Sequence, residues 1–442
     1  MKWLLLVSAE IVYLAVLFLP DARARLPAYL ALVAVASLLA IAAAAILSGA
    51  RPAFVLVAAI LFRATLLPRA PDLSDDMKRY LWDARVAAAG ISPWAYAPQD
   101  RRVARLSPAE SARLPHRDVK SVYPPVAEAA FRVGSLGGRS GVALKTLFAA
   151  ADVAVVWLLL RGGGVGAAAL YAFHPLPVLE IAGQGHLDSV GVALLLASLA
   201  FLSGGRAVRA GIAFAFSVLT KYVSIAAAPA LFLRSGRRFA AVALLAASTL
   251  WLAALRTGAS PVGGLPDYAS RWQFNSVLYP AVAYAVSARE LPARAKAAFL
   301  EVKARLGHPA WTQSIFPYFY DAFFARAILG FLLAASLVGI ALRVRDPRTA
   351  TFASLAVLLL LSPTLHPWYL LWILPFAAER REPAFLYLSF AAPLSYLLLK
   401  DGDGASRAVV LAAEYAPFAG LLLATLFRVR TRGSVVPQPV AS

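Results

Sequence analysis

Apolar runs dominate this chain, and polar residues mainly punctuate them. The runs occupy 3–19, 27–48, 53–67, 142–160, 165–181, 187–203, 208–221, 222–233, 239–255, 326–343, 349–362, 367–378, 383–399 and 407–427. A helix needs ~20 apolar residues to cross a bilayer, where every backbone N–H and C=O must be satisfied within the segment. The pattern predicts an all-α fold: a polytopic membrane helix bundle with about 11–14 transmembrane segments. The stretches 208–233 and 349–378 hold runs too short for full crossings. They are expected to be broken hairpins lining a cavity, where irregular backbone is tolerated at membrane depth. Glu10 inside the first run favours an anchoring helix over a cleaved signal peptide.

Two segments break the pattern, 68–141 and 257–325. Loops longer than ~15 residues are uncommon unless functional, so the chemistry is sought there, with amphipathic helices expected in both. The reading is one integral membrane domain over 1–431 and a disordered tail over 432–442. No internal repeat and no low-complexity tract interrupts it.

Composition agrees. Of 442 residues, 61% are hydrophobic and 15% charged, with mean hydropathy +0.70; soluble domains carry about 25% charged residues. A soluble globular domain, a fibrous repeat and a disordered chain are excluded. The net charge of +20 would suggest nucleic acid in a soluble protein. Here it follows the positive-inside rule. One set of short loops holds Lys2, Arg51, Arg161, Arg206, Arg209, Arg234, Arg237, Arg238, Arg343, Arg345, Arg348, Arg380, Arg381, Arg428, Arg430 and Arg432. The opposite set holds Arg23, Arg25, Lys221, Lys400 and Arg407. Both termini are therefore expected in the cytoplasm and both long loops outside it, with the lipid bilayer rather than nucleic acid as partner. The absence of cysteine excludes disulfides and thiol chemistry.

Acids are scarce, so their placement is informative. The segment SDDMKRYLWDARVAAAGISPWAYAP, 74–98, predicts an amphipathic helix capped by Ser74 and ended by Gly90. Asp75, Asp76, Arg79 and Asp83 share one face. Met77, Tyr80, Leu81, Ala84 and Ala88 form an apolar stripe expected to lie on the membrane. A carboxylate at a membrane edge is partly desolvated and suits general-base work; the competing reading is a solvated polar face. Arg79 would hold the base ionised or bind a phosphate. Metal binding through Asp75 and Asp76 is the weaker reading, because adjacent helical residues diverge by ~100° and no nearby His completes a set.

Other polar residues gather at loop–span junctions. Glu180, Gln184, His186 and Asp188 either face a cavity or form a hydrogen-bonded helix–turn–helix cap. Lys221 is a phosphate counter-ion or a snorkelling lysine. Trp368 and Tyr369 suit an aromatic belt, which does not explain His366, a donor to phosphate or a proton shuttle. Arg271, Trp272 and Asn275 in RWQFNSVLYP could meet a sugar or phosphate. The stretch 292–306 reads as a basic amphipathic helix against anionic headgroups.

Together these motifs resemble the C superfamily of membrane glycosyltransferases, in particular the bacterial polyprenyl-phosphate-mannose-dependent mannosyltransferases, with a fainter likeness to the catalytic subunit of the GPI-anchor mannosyltransferase. The carriers are DDMKRYLWDARVAAAGISPWAYAP, SVYPPVAEAAF at 121–131, EIAGQGHLDS at 180–189, Lys221-Tyr222, FNSVLYP at 274–280 and HPWYLLW at 366–372. They stand in the family's order over about 70–380. The likeness implies an inverting transferase in a bacterial inner membrane, acting on the extracytoplasmic face. It would move a hexose, mannose by default, from a polyprenyl-phosphate donor to a glycan or glycolipid acceptor. The family's Asp-x-x-x-Tyr match puts the catalytic base at Asp76, with Asp75 second. Lys221, His366, Arg79 and Arg271 would meet the donor phosphate. Tyr80, Asp83, Tyr123, Glu180, Gln184, His186, Asp188, Asn275, Trp368 and Tyr369 would line the substrate cavity. Some relatives carry an Asp-x-Asp pattern that this chain lacks, so no cofactor is implied with certainty and a divalent cation stays open. The competing class is a lipid-linked-sugar flippase or transporter. Such a protein should show inverted repeats and polar groups at the midplane, whereas here the polar groups gather at one surface. A third reading is an assembly subunit without chemistry.

Overall fold

The computed structural model describes residues 1–138, 141–307, 309–399 and 404–433. Lys400 and residues from 434 onward lie outside these; the last helix, Gly404–Gly433, takes in the first two residues of the expected tail. Among the described residues the chain is helical, with a single isolated bridge pairing Phe274 with Thr364.

Among the described residues five helices are long and apolar enough to cross a membrane: Leu26–Ile46, Val142–Gly162, Arg237–Leu255, Asp321–Arg343 and Ser406–Phe427. A sixth span results if Gly164–Phe173 and Pro175–Gly183, bent by 50° at His174, count as one. The expected 11–14 is reached only by adding shorter apolar helices, such as Pro52–Leu66, Asp188–Ser203, Ala207–Thr220 and Pro347–Leu361. The shortening has a local cause in three of these. Asp188–Ser203 starts at a buried carboxylate, Ala207–Thr220 stops at Lys221, and Pro347–Leu361 stops before Pro363 and His366. Lys221 is extended (φ −157°, ψ 132°), so the break expected within 208–233 falls at the polar residue itself. Proline at the first helical position, as in Pro52, Pro347 and Pro383, sets φ where no N–H partner is needed.

Buried basic side chains staple several helix ends. Lys145 Nζ donates to the carbonyls of Leu66, Leu67 and Arg69 at 3.1, 3.0 and 2.6 Å, closing the end of Pro52–Leu66. Arg69 donates to Leu19 O at 2.9 Å, just past the first helix. Deeper in the bundle, Arg63 Nε pairs with Asp152 at 2.7 Å, and Tyr171 Oη donates to the same carboxylate at 2.6 Å. Unpaired charge at such depth is costly.

The two long loops fold against each other over one end of the bundle. Gly264 N donates to Ser121 O at 2.8 Å, Thr257 Oγ1 to Ser92 Oγ at 3.0 Å, and Arg271 pairs with Asp118. The second loop also contributes an apolar helix, Leu278–Ala288, whose Tyr279 and Val286 pack with Ala325 and Leu329 of the long span Asp321–Arg343. The basic helix Leu291–Arg305 stays mostly exposed, as its amphipathic pattern predicts.

Candidate active site

The helix predicted from a Ser74 cap to Gly90 forms as Asp76–Ala88, starting one residue later than that cap implies. Asp75 holds the cap position, and Ser74 Oγ still accepts the Asp76 N–H at 3.2 Å. Both flanks of the helix pack on protein. Tyr80 stacks on Phe131 at 4.3 Å and meets Phe148 edge-on, while Trp82 and Val86 pack on the other side with Val103 and Leu114. It is clasped between the bundle and the rest of its own loop, which fixes where its acids point.

Those acids do not act together. Asp83 is buried against Arg79, whose Nε lies 3.0 and 3.1 Å from its two oxygens. Asp75 pairs with Lys78 at 2.7 Å in an exposed position. Asp76 opens on a cavity of about 530 Å³ with its side chain 35% exposed, and Asp75 borders the same cavity while paired with Lys78. Tyr80 Oη donates to Asp76 Oδ2 at 3.4 Å, and His186 Nδ1 lies 3.4 Å from the same oxygen. Burial works to raise the Asp76 carboxyl. The His186 contact and the nearby Lys221 ammonium outweigh it and hold the group below its ordinary value. Asp76 is therefore ionised at neutral pH.

Asp75, Asp76, Arg79, Tyr123, Lys221, His366, Trp368 and Tyr369, all expected at the site, line this one cavity. They come from four stretches of chain far apart in sequence. Lys221 Nζ lies 4.4 Å above the Tyr369 ring and is neutralised by Asp188, at 2.8 and 3.0 Å. Asp188 Oδ1 also accepts the Trp372 indole N–H at 2.6 Å. Burial pushes the His366 imidazole down to about 3, so at pH 7 it offers a hydrogen bond and no charge. It belongs to a ladder of stacked rings: Phe274 on His366 at 4.5 Å, His366 on Trp368 at 4.4 Å, and Trp368 on His186 at 3.8 Å.

Other expected residues stand behind the wall or away from it. Tyr80, Asp83, Glu180, Gln184, His186 and Asp188 do not line the cavity. Gln184 is a cap: its Oε1 accepts from the backbone of Asp72 and Leu73 at 3.1 and 2.9 Å, positioning the approach to Asp76. Arg271 is exposed, held by Asp118 and Asp267, and clamps the two loops together rather than entering the cavity. Asn275 turns away with φ +47°, donating to Glu414 Oε2 at 2.7 Å. Sequence reasoning missed Arg23, Lys120, Tyr268 and Tyr396 among the lining residues. Tyr268 and Tyr369 share a hydroxyl–hydroxyl hydrogen bond that closes the second loop onto the site. Among the described residues no group of three or more His, Asp or Glu side chains is placed to hold a metal ion.

Comparison with known proteins covers only part of the chain. Residues 320–428 match the family model of the MptB C-terminal domain, a mannosyltransferase-family domain. The matched part includes His366, Trp368, Tyr369 and Glu414, and excludes Asp76 and Lys221. No curated protein and no solved structure matches the chain. The helical fold with its apolar spans is that of an integral membrane protein, and the match points to a glycosyltransferase of the mannosyltransferase type.

Proposed function

We propose that this protein is an inverting glycosyltransferase that moves a hexose, mannose on the strength of the C-terminal match, from a polyprenyl-phosphate donor to a hydroxyl of a glycan or glycolipid. One observation carries the reading: Asp76 is an ionised carboxylate deep in a cavity that Lys221, Arg79 and His366 also face. The acceptor oxygen attacks carbon 1 of the sugar as Asp76 takes its proton, and the bond from carbon 1 to the phosphate oxygen breaks. Charge develops on the leaving lipid phosphate, where Lys221 supplies a cation and His366 an N–H. A β-linked donor gives an α-linked product. The positive-inside count supports a cavity on the extracytoplasmic face with both termini cytoplasmic, and the family likeness supports a bacterial inner membrane.

The test supplies the purified protein in lipid nanodiscs with radiolabelled polyprenyl-phosphate-mannose and a panel of glycan and glycolipid acceptors, with and without EDTA. Label is expected to move to an acceptor, with EDTA having no effect. Transfer from no lipid-phosphate sugar, alongside measurable flipping of the lipid, would overturn the enzyme reading in favour of a flippase.

A further inference from the structure

Behind Asp76 the ionisable side chains stand in a line. His186 Nδ1 lies 3.4 Å from Asp76 Oδ2, and its Nε2 lies 3.5 Å from Glu180 Oε2. His186 and Glu180 are fully buried, and neither imidazole nitrogen nor Glu180 Oε2 makes a hydrogen bond. Buried polar atoms almost always find partners. These face one another, and a small rotation of either carboxylate would close the gaps. Only Asp76 of the three reaches the cavity.

The surroundings hold this line in place. The His186 ring is stacked on Trp368 with an interplanar angle of 16°, and its backbone N–H donates to Glu180 O at 2.9 Å. Gly185 turns the chain with φ +79°; a Cβ there would collide with Met77, on the helix that carries Asp76. Glu180 sits in the wide helical turn Val178–Gly183, and its other oxygen accepts from Tyr396 Oη at 2.8 Å. The other charged or titratable groups facing the line are Tyr80, Tyr123, Tyr268, Tyr369, Lys221 and His366 near Asp76, Asp188 beside Lys221, and Tyr29 against Tyr396.

We propose that His186 and Glu180 are a proton relay that empties Asp76 during turnover, an inference that rests on Asp76 being the base. When the acceptor oxygen bonds to carbon 1 and the carbon–phosphate-oxygen bond breaks, the hydroxyl proton goes to Asp76. It passes to His186 Nδ1 while the proton on Nε2 passes to Glu180 Oε2. Asp76 is again a carboxylate, the imidazole is neutral in its other tautomer, and Glu180 is an acid. The proton returns by the same path to the departing lipid phosphate, whose new monoester oxygen takes it, and the starting state is restored. Neither His186 nor Glu180 touches substrate, so both are positioning and relay residues.

The experiment measures transfer by the full chain in nanodiscs for His186→Gln, Glu180→Gln, the double variant and Asp76→Asn, with thermal melting as a check on folding. Each single relay variant is expected to lose about 10–100-fold in kcat with donor KM unchanged, within the range of acid–base contributions. The double variant should fall no further, because both changes cut one path. Independent packing defects would multiply instead, and that result overturns the relay. Full kcat in either single variant, with Asp76→Asn inactive, also overturns the relay and leaves the base standing. Full activity of Asp76→Asn overturns both. If His186→Gln does not fold, Glu180→Gln, which keeps volume and the Tyr396 hydrogen bond, decides alone by its kcat and by loss of the wild-type solvent deuterium isotope effect; an unchanged isotope effect refutes the proposal.

Discussion

Asp188→Asn separates stability from phosphate binding at Lys221. Asp188 is fully buried and lies 2.8 Å from the Lys221 ammonium, while the Lys221 side chain is 16% exposed to the cavity. At an effective dielectric of ~20, two unit charges that close attract by roughly 6 kcal/mol before desolvation is counted. Breaking a buried pair by removing one partner costs about 3–5 kcal/mol. Lys221 can turn partly to the cavity, so roughly 2–3 kcal/mol of destabilisation is expected. The amide keeps an acceptor for the Trp372 indole, which confines the change to charge. Lys221, no longer neutralised, should bind the anionic donor more tightly. The assay is equilibrium unfolding in detergent micelles with donor KM measured in parallel. A second variant closes the cycle: Asp188→Asn combined with Lys221→Met should recover part of the lost stability, because no buried charge is left unpaired. Unchanged stability in Asp188→Asn, or further loss in the double variant, would refute the reasoning.

Glu128 is buried beside Asp83, and burial followed by the Asp83 charge raises its carboxyl well above the ordinary value. A raised carboxyl favours the folded state when protonated, so stability falls as pH rises from the unfolded value toward the folded one. Glu128→Gln should therefore raise the melting temperature at neutral pH and leave it unchanged at acid pH; a fall at neutral pH would count against this. A Cβ at Gly191 would strike the Trp372 ring, so Gly191→Ala should cost about 1–3 kcal/mol by overpacking, read by unfolding together with Trp fluorescence. Arg271→Ala should leave donor KM unchanged and loosen the two loops, seen as faster proteolysis within 257–325; a raised donor KM would return Arg271 to the phosphate site.

Much of the fold was legible because the bilayer imposes a simple rule. Apolar length marks helices, and the runs at 27–48, 142–160 and 239–255 reappear as Leu26–Ile46, Val142–Gly162 and Arg237–Leu255. The short runs were harder, because they end on buried polar residues whose partners lie far away in sequence: Asp188 with Lys221, and Lys145 with the carbonyls near Leu66. Scarcity of acid led directly to the loop helix, but helical spacing could not separate Asp76 from Asp83. Position along one face does not reveal that Arg79 reaches four residues on to neutralise one of them. Likewise Asn275 and Arg271 carry residue types suited to sugar and phosphate, yet Glu414 and Asp118 claim them first. Tyr268 and Tyr396 gave no pattern at all, since a lone tyrosine near an apolar segment reads as an interface anchor.

The central claim is that Asp76 is the base for transfer from a lipid-phosphate sugar. Its most direct test is single-turnover transfer from radiolabelled polyprenyl-phosphate-mannose by wild type and Asp76→Asn in nanodiscs, with donor binding measured separately. The isosteric amide keeps the acceptor for Tyr80 and the cavity's shape but takes no proton. Donor binding should persist and transfer should fall by at least about 100-fold. Transfer at the wild-type rate in Asp76→Asn would contradict the claim.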